Sequence, residues 1–172
     1  AKTNTQTQVT KTATMRVYGF GGLGVNILSN WLSKEQPEQL SGYATIDAVA
    51  IDTSRSNLLP NANENRFYHI EGLDGGGKLR SLNVNALLPE IKPILSIHQP
   101  KDVNVLIASA SGASGSTILP LTMKELVSND QVTIAILVLT DGSQIEAENS
   151  RKTIATLANM SKQLGKPFVV HF

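Results

Sequence analysis

Short apolar runs alternate with amphipathic segments along most of the chain. The runs predict β-strands over residues 15–18, 43–51, 66–70, 103–108, 132–139 and 168–172. Apolar residues at helical spacing predict helices over residues 25–32, 82–97, 118–127 and 144–164. Because the run 132–139 is almost entirely apolar, it is typical of a strand covered on both faces of a parallel sheet. The alternation therefore predicts a doubly wound, mostly parallel α/β sheet with helices on both faces.

Breaks in these patterns predict where elements end. Pro89 and Pro93 predict a kink or an early break within the helix over residues 82–97. Gly165 follows the last helix and favours its termination. Residues 34–42 are polar and predict a loop before the second strand.

The first residues differ in composition from the rest of the chain. Residues 1–14 are mostly Thr, Gln, Asn and Lys and carry almost nothing apolar. Such a segment cannot bury enough surface to hold one conformation. We predict a disordered N-terminal arm, with an arm that orders on a partner or a neighbouring subunit as the alternative. Residues 15–172 have the length of a single domain, which we interpret as a nucleotide-binding domain from the loops described below.

Composition and charge exclude several classes of function. The chain has 172 residues, a formal net charge of +1 and no run of five basic residues, so bulk charge gives no indication of nucleic-acid binding. With no cysteine, the chain has no disulfide, no thiolate metal site and no cysteine nucleophile. No apolar run reaches membrane-spanning length, and the first residues lack the apolar core of a signal peptide. We expect a soluble, cytoplasmic protein without a membrane partner.

A glycine-rich segment joins the first predicted strand to the first predicted helix. Gly19, Gly21 and Gly24 satisfy the G-x-G-x-x-G pattern in a strand–turn–helix context. In that context the main chain approaches a phosphate group closely. The alternative is a glycine turn that serves packing alone.

A second strand-to-helix turn is rich in small residues. It covers residues 111–117, with the sequence Ser-Gly-Ala-Ser-Gly-Ser-Thr, between the strand 103–108 and the helix 118–127. Such a turn directs main-chain N–H groups and the positive end of a helix dipole to one place, which favours a phosphate chain. Small side chains allow close approach, and hydroxyls add donors. A tight packing turn is the alternative.

Two further segments carry candidate ligand contacts. Asp52 ends the second long strand, where a nucleotide-binding α/β sheet often contacts its ligand, although it could equally cap the next turn. Residues 72–80 form a glycine-rich loop that bears Lys78 and Arg80, which suits a loop closing on the outer phosphates or a solvated surface loop. His69 and His98 have no partner at ligand spacing and are interpreted as structural or exposed.

Taken together, these loops resemble those of the GTPase domain of the tubulin/FtsZ superfamily, and especially of the divergent bacteriophage tubulins. The resemblance covers residues from about 15 to 172 and implies a Rossmann-like domain that binds GTP or GDP with Mg²⁺. Residues 19–26, Gly-Phe-Gly-Gly-Leu-Gly-Val-Asn, resemble the first loop of FtsZ, Asp52-Thr53 the second and residues 72–78 the third. The resemblance implies these nucleotide-binding residues: Gly21, Gly22, Leu23, Asn26, Asp52, Thr53, Gly75, Gly76, Gly77, Gly112, Ala113, Ser114, Gly115, Ser116 and Glu146.

The resemblance also implies roles for some of these residues. Asn26 would contact the guanine, Gly21 and Gly22 would lie near phosphates, and Glu146 would bind the ribose. The arginine that follows this glutamate in FtsZ is out of register here, at Arg151.

The turn at residues 111–117 resembles the glycine-rich signature of tubulins only in part. The matching residues are Gly112, Ser114, Gly115, Ser116 and Pro120. At three positions, Ser111, Ala113 and Thr117 replace glycines of that signature.

In this superfamily the sheet continues into a long central helix and a second domain that supplies the residue activating hydrolysis. The sequence ends at Phe172, before both, so we expect a domain that lacks the central helix and the second domain. Whether the chain hydrolyses GTP therefore stays open, and no catalytic or metal-ligating residue is assigned. A complete chain would be a GTP-binding or nucleotide-free remnant used in assembly, and a fragment would come from a polymerising GTPase.

Two other functions stay open. Gly21, Gly22 and Gly24, followed by Asp52, also resemble the adenylating enzymes that activate ubiquitin-like proteins, so an adenine-nucleotide-binding Rossmann-type enzyme is one alternative. A non-enzymatic scaffold that keeps the fold and assembles through its polar arm is the other. The leading interpretation is a phage cytoskeletal or assembly component in the host cytoplasm, with guanine nucleotide and either itself or another protein as partners.

The leading hypothesis carries one mutational expectation. If loops 19–26, 72–80 and 111–117 surround the nucleotide, positioning and charge neutralisation do most of the work. We expect Gly115→Val to abolish nucleotide binding and to leave the fold intact.

Overall fold

One seven-stranded sheet organises the residues that the structure describes. The structure is a computed structural model, and it describes residues 11–40, 42–73, 80–140, 142–167 and 169–171. The strands are β1 Ala13–Phe20, β2 Glu38–Leu40, β3 Ala44–Asp52, β4 Phe67–His69, β5 Val103–Ser109, β6 Thr133–Val138 and β7 Val169–His171. Their order is β2-β3-β1-β5-β6-β7, and β4 also pairs with β3.

Parallel pairing dominates this sheet. Strand β1 pairs in parallel with β3 and with β5, and the β3–β4, β5–β6 and β6–β7 pairs are parallel as well. Strand β2 runs antiparallel to the first residues of β3. The prediction of a mostly parallel α/β sheet is confirmed.

Helices cover both faces of the sheet, as predicted. They are α1 Gly21–Leu32, α2 Arg80–Leu87, α3 Ile91–Ile97, α4 Gly115–Ser128 and α5 Gln144–Leu164. On one face, Val25 and Leu28 of α1 pack with Val17 and Val105 of the strands. The remaining helices supply buried residues to the core on the opposite face, around Tyr18.

The larger core, around Tyr18, is packed with large side chains near the carboxyl ends of the central strands. Tyr18 and Phe20 of β1 stack with their ring centroids 6.2 Å apart and are fully buried. Leu106 of β5 and Met123 of α4 are also fully buried in this cluster. Burial of side chains of this size contributes about 1.5–3 kcal/mol each to folding.

Three local predictions have different outcomes. Residues 34–42 contain strand β2 rather than only a loop, because a strand at the sheet edge pairs with β3 through its main chain and needs no apolar run. The predicted helix 82–97 divides into α2, a 3₁₀ turn over Leu88–Glu90 and α3, which confirms the expected break at Pro89. The predicted arm 1–14 lies largely outside the described residues, and β1 already begins at Ala13.

Both small-residue turns are shorter than predicted. Helix α1 begins at Gly21 and α4 begins at Gly115, so residues 21–24 of the first segment and residues 115–117 of the second are helical. Pro120 lies inside α4 and is buried in the core. Each turn therefore delivers a helix N-terminus directly to the end of a strand.

Candidate functional site

Strands β1, β3, β5 and β6 all end at the same edge of the sheet because they run parallel; we call this the carboxyl edge. The loops that follow β3 and β5 contact each other there. The Ser114 hydroxyl donates a hydrogen bond to Asp52 Oδ1 at 3.0 Å. Two predicted site residues, 62 positions apart in the sequence, are therefore neighbours in space.

The N-termini of α1 and α4 meet at this edge. A Cβ atom placed on Gly21 would lie 3.0 Å from the Gly115 main-chain nitrogen, and Gly21 has a φ of +69°, which favours glycine. Neither helix has a side chain capping its N-terminus, and neither has an acidic residue in its first turn. Two partial positive charges therefore face the same region without a carboxylate in either first turn to offset them.

Helix α5 begins differently at the same edge. The Ser143 hydroxyl accepts a hydrogen bond from the Glu146 N–H, and the Glu146 carboxylate accepts one from the Ser143 N–H at 3.0 Å. This capping box satisfies the α5 N-terminus from within the chain. Glu146, predicted as a ribose ligand, thus has a structural role in this structure.

Several of the glycines are required by contacts within the protein. A Cβ on Gly24 would lie 2.4 Å from the Gly19 carbonyl carbon, and one on Gly115 would lie 2.7 Å from the Phe20 carbonyl oxygen. Because these contacts are to main-chain atoms, they cannot be relieved by rotating a side chain. The expectation that Gly115→Val leaves the fold intact is wrong for this reason.

Gly112 and Gly22 are less restricted. A Cβ on Gly112 would contact only the Ser109 side chain, at an ordinary 3.5 Å, and a Cβ on Gly22 would meet the Asn57 side-chain amide at 2.5 Å. That amide is the end of a side chain and is able to move. Gly112 is therefore the glycine of this turn at which a side chain can be added with least effect on packing.

Asp52 is the buried carboxylate of the site. It is 3% exposed, and this burial raises its pKa, whereas hydrogen bonds from the Ser114 hydroxyl and from the Thr53 N–H act to lower it. Thr53 is buried as well, and its carbonyl oxygen lies 3.2 Å from His69 Nε2. Asp52 and Thr53 together form a buried polar surface beside the helix N-termini, which we call the floor of the site.

Hydroxyl and amide groups link the β5 and β6 ends to α5. The Ser111 hydroxyl is 2.9 Å from the Thr140 hydroxyl and 3.1 Å from the Ser109 hydroxyl. The Asn149 amide donates to the Ser111 carbonyl at 3.5 Å. The sequence reasoning missed Thr140 and Asn149 as positioning residues, although Thr140 directly follows a predicted strand.

The other predicted residues occupy different surroundings. Asn26 is exposed on α1, and Leu23 and Ala113 are half-buried. Ser116 is 1% exposed, so its side chain belongs to the core. Gly75, Gly76 and Gly77, together with Lys78, lie outside the described residues.

Within the described residues, no group of three or more His, Cys, Asp or Glu side chains is placed to hold a metal ion. A separate finding concerns membranes: none of the helices described is both long enough and apolar enough to span one.

The chain is similar to phage proteins in sequence and in fold. A phage tubulin-like protein of Pseudomonas phage PhiPA3 is 27% identical over 157 residues, which is 91% of this chain and 46% of the relative. The monomeric subunit of TubZ from bacteriophage PhiKZ superimposes with a TM-score of 0.77 at 25% identity, over 91% of this chain and 52% of TubZ. The protofilament of that TubZ gives the same TM-score at 26% identity, over 91% of this chain and 47% of the other.

A third phage protein shares the fold alone. The phage tubulin PhuZ, in its GDP form, has a TM-score of 0.74 at 18% identity, over 92% of this chain and 48% of PhuZ. No protein-family model matches the sequence. The chain spans about half the length of the curated relatives it matches.

Proposed function

Since the chain belongs to the tubulin/FtsZ superfamily, we propose that it binds a guanine nucleotide, GTP or GDP, at the carboxyl edge. The observation that carries the proposal is the meeting of the α1 and α4 N-termini at Gly21 and Gly115, with neither capped by a side chain. Main-chain N–H groups and partial positive charge converge there, which is the environment that a phosphate chain needs.

The nucleotide contacts divide by chemistry. The main chain of residues 21–23 and 112–116 faces the phosphates, and the exposed Asn26 side chain on α1 reads the guanine. Asp52 and Thr53 form the buried floor. Glu146 turns from the α5 cap towards the ribose. Gly75, Gly76 and Gly77, which lie outside the described residues, stay assigned to the outer phosphate by the family resemblance alone.

We propose that Mg²⁺ enters with the nucleotide. Mg²⁺ usually keeps several waters and binds through substrate phosphates and one or two carboxylates. A preformed cluster of protein ligands is therefore unnecessary, and a single carboxylate such as Asp52 fits this requirement. Binding, and not hydrolysis, is what we assign to these residues.

We also propose that the chain acts as a tubulin-like component that associates with itself in the host cytoplasm. The TubZ protofilament, which has a TM-score of 0.77 with this chain, supports self-association as the form of assembly. Phage relatives support the host cytoplasm as the place of action.

One observation favours the second candidate, a scaffold that binds no nucleotide. The Ser111 and Ser114 hydroxyls already have hydrogen-bond partners within the chain, at Thr140 and Asp52. A loop satisfied in this way does not depend on a ligand for its order. Titration of the protein without bound nucleotide separates the two candidates.

Two asparagines on α1 provide a matched test. Asn26 and Asn30 are both exposed and lie one helical turn apart, and Asn26 is four residues closer to the α1 N-terminus. We expect Asn26→Ala to weaken GDP binding about tenfold, as loss of a polar contact worth about 1.4 kcal/mol would. Asn30→Ala should leave the affinity unchanged in the same calorimetric titration.

Equal affinities of the two variants would remove Asn26 from the base contact. Tighter binding of ATP than of GTP would favour the adenine-nucleotide enzyme, and no binding of either would favour the scaffold.

A further inference from the structure

At the opposite edge of the sheet, where the strands begin, three charged side chains meet; we call Arg16, Asp47 and Arg66 the amino-edge cluster. Arg16 of β1 and Asp47 of β3 are paired neighbours in the parallel register. Arg16 Nη1 donates to Asp47 Oδ2 at 2.7 Å, and Arg66 Nη1 donates to the other carboxylate oxygen. Each oxygen of one carboxylate is thus bound by a different guanidinium.

Both arginines of the cluster are buried, Asp47 is partly exposed, and the three charges do not balance. Arg16 and Arg66 are each 8% exposed, and each guanidinium carries one positive charge. A single carboxylate offsets one of them, so one positive charge remains in a largely desolvated place. Burying an uncompensated charge is costly, and an added anion would relieve that cost.

Part of the Arg66 guanidinium is still available. Arg16 Nε donates to the Gln99 main-chain carbonyl. Arg66 Nε donates to the Lys34 carbonyl, and Arg66 Nη1 also donates to the Ala48 carbonyl. The Arg16 guanidinium also has a hydrogen-bond contact with the Tyr18 hydroxyl. In the part of the chain that the structure describes, no hydrogen bond uses the Nη2 group of Arg66. The nearby Tyr18 hydroxyl donates to the His98 carbonyl at 2.7 Å.

A cleft of about 310 Å³ opens beside these groups. Its polar lining consists of Arg16, Asp47, Asn63, Asn65, Arg66 and His98, and Glu35 also borders it. This volume lies at the lower end of the range of small-molecule sites. Glu35 is exposed, so its opposing charge is screened by solvent.

We propose that the cleft binds a small oxyanion, of carboxylate or phosphate chemistry, through the Nη2 group of Arg66 and the positive charge of the Arg16 guanidinium. A planar guanidinium presents donors that match the spacing of two oxyanion oxygens. The Asn63 and Asn65 amides are additional donors in the lining. This site is separate from the nucleotide site, since it lies at the other edge of the sheet.

The state of His98 is consistent with this surplus charge. Burial lowers the pKa of His98, and the positive charge of Arg16 lowers it further, although Asp47 acts in the opposite direction. Burial and the Arg16 charge therefore disfavour the imidazolium form of His98, which lines the cleft.

Nuclear magnetic resonance of the arginine Nε–Hε groups tests the proposal on the unmodified protein. We expect titration with inorganic phosphate, and separately with acetate, to shift the Arg16 and Arg66 signals in a saturable way. Arg55, whose exposed guanidinium pairs with Glu64, is the control and should not shift. Main-chain signals of Gly112 and Gly115 report any phosphate bound at the nucleotide site, so the two sites are distinguished. Saturation by phosphate alone would identify a phosphate site, and saturation by acetate alone a carboxylate site.

Two substitutions sharpen the result. Glu35→Gln should tighten phosphate binding about threefold, because a partly screened opposing charge is removed. Glu71→Gln, at an exposed residue outside the cleft lining, is the matched control and should change nothing. Arg66→Lys keeps the charge but loses the planar pair of donors, and should weaken binding about tenfold. Unshifted Arg16 and Arg66 signals in the unmodified protein, or equal shifts at Arg55, would overturn the proposal.

Discussion

The two edges of the central sheet present positive charge in different ways. At the carboxyl edge it comes from the main chain, through the α1 and α4 N-termini, and the buried side chain there is the acid Asp52. At the amino edge it comes from the side chains of Arg16 and Arg66 around Asp47. Main-chain donors need small neighbours and a fixed backbone, whereas guanidiniums need only a partner to hold them.

This difference decides which substitutions each edge tolerates. At the carboxyl edge, an added methyl group meets main-chain atoms, as at Gly115 against the Phe20 carbonyl. At the amino edge, the sensitive property is charge balance among side chains. Substitutions that add volume should therefore destabilise the protein most at the carboxyl edge. Substitutions that change charge should destabilise it most at the amino edge.

The largest expected effect is at Gly115. Gly115→Val places a Cβ 2.7 Å from the Phe20 carbonyl oxygen, and we expect a loss of about 3 kcal/mol or more in the free energy of unfolding. Gly112→Ala is the matched control, because its Cβ would make only an ordinary 3.5 Å contact, and it should cost less than about 1 kcal/mol. Urea unfolding of both variants measures the difference. Equal stabilities would mean that the α1 and α4 N-termini are not packed as described.

The next effect is at Asp47. Asp47→Ala leaves two buried guanidiniums without their carboxylate, so we expect a loss of about 3 kcal/mol in the free energy of unfolding. Asp130→Asn removes the charge from the exposed pair with Lys166, keeps a side chain that suits the φ of +58° at this position, and should have little effect. If the Asp47 variant is as stable as the Asp130 variant, the guanidiniums of the amino-edge cluster are solvated.

A smaller, pH-dependent effect is expected at Asp52. Because its pKa is raised in the folded state, its contribution to stability is present at low pH and is lost as the pH rises through that folded pKa. Asp52→Asn has no such loss. The melting temperature of this variant minus that of the unmodified protein should therefore increase from pH 3 to pH 7.

Asp130 is the control for this pH profile. The Lys166 ammonium lowers the pKa of Asp130, so its contribution is present above the unfolded pKa and is lost as the pH falls. Asp130→Asn should therefore become relatively less stable from pH 3 to pH 7. Parallel pH profiles for the two variants would rule out burial as the cause at Asp52.

The smallest effects are expected at the capped α5 N-terminus. Ser143→Ala removes the side chain that accepts from the Glu146 N–H and should cost about 1 kcal/mol in thermal unfolding. Glu146→Gln keeps a capping-box residue and should cost less than about 0.5 kcal/mol. If Glu146→Gln nevertheless weakens GDP binding, its role in the nucleotide site is separate from its role in the cap. Equal losses of stability would show that the carboxylate charge stabilises the helix.

Contiguous motifs made the carboxyl edge predictable from sequence. The segments around Gly19–Gly24 and residues 111–117 follow apolar runs, and parallel pairing brings the ends of such strands together. What the sequence did not reveal is that Gly19 and Gly24 contact each other's main chain, because such a contact depends on how closely α1 approaches β1. The glycine pattern alone is compatible with both a ligand contact and a packing contact.

The amino edge could not be predicted in the same way. Arg16 and Asp47 are 31 positions apart, and Arg66 is a further 19 positions along, so no local pattern joins them. The β1–β3 register brings the first two together. A charged residue inside each of two otherwise apolar strands was the available signal, because such residues need a partner when the strands are buried.

Calorimetric titration of the nucleotide-free protein with GDP and with ADP, in the presence of Mg²⁺, tests the central claim most directly. The account predicts saturable binding of GDP, weaker binding of ADP, and loss of GDP affinity in Asn26→Ala but not in Asn30→Ala. Absence of GDP binding by a folded protein would contradict it, and the carboxyl edge would then be a packing junction between two helix N-termini.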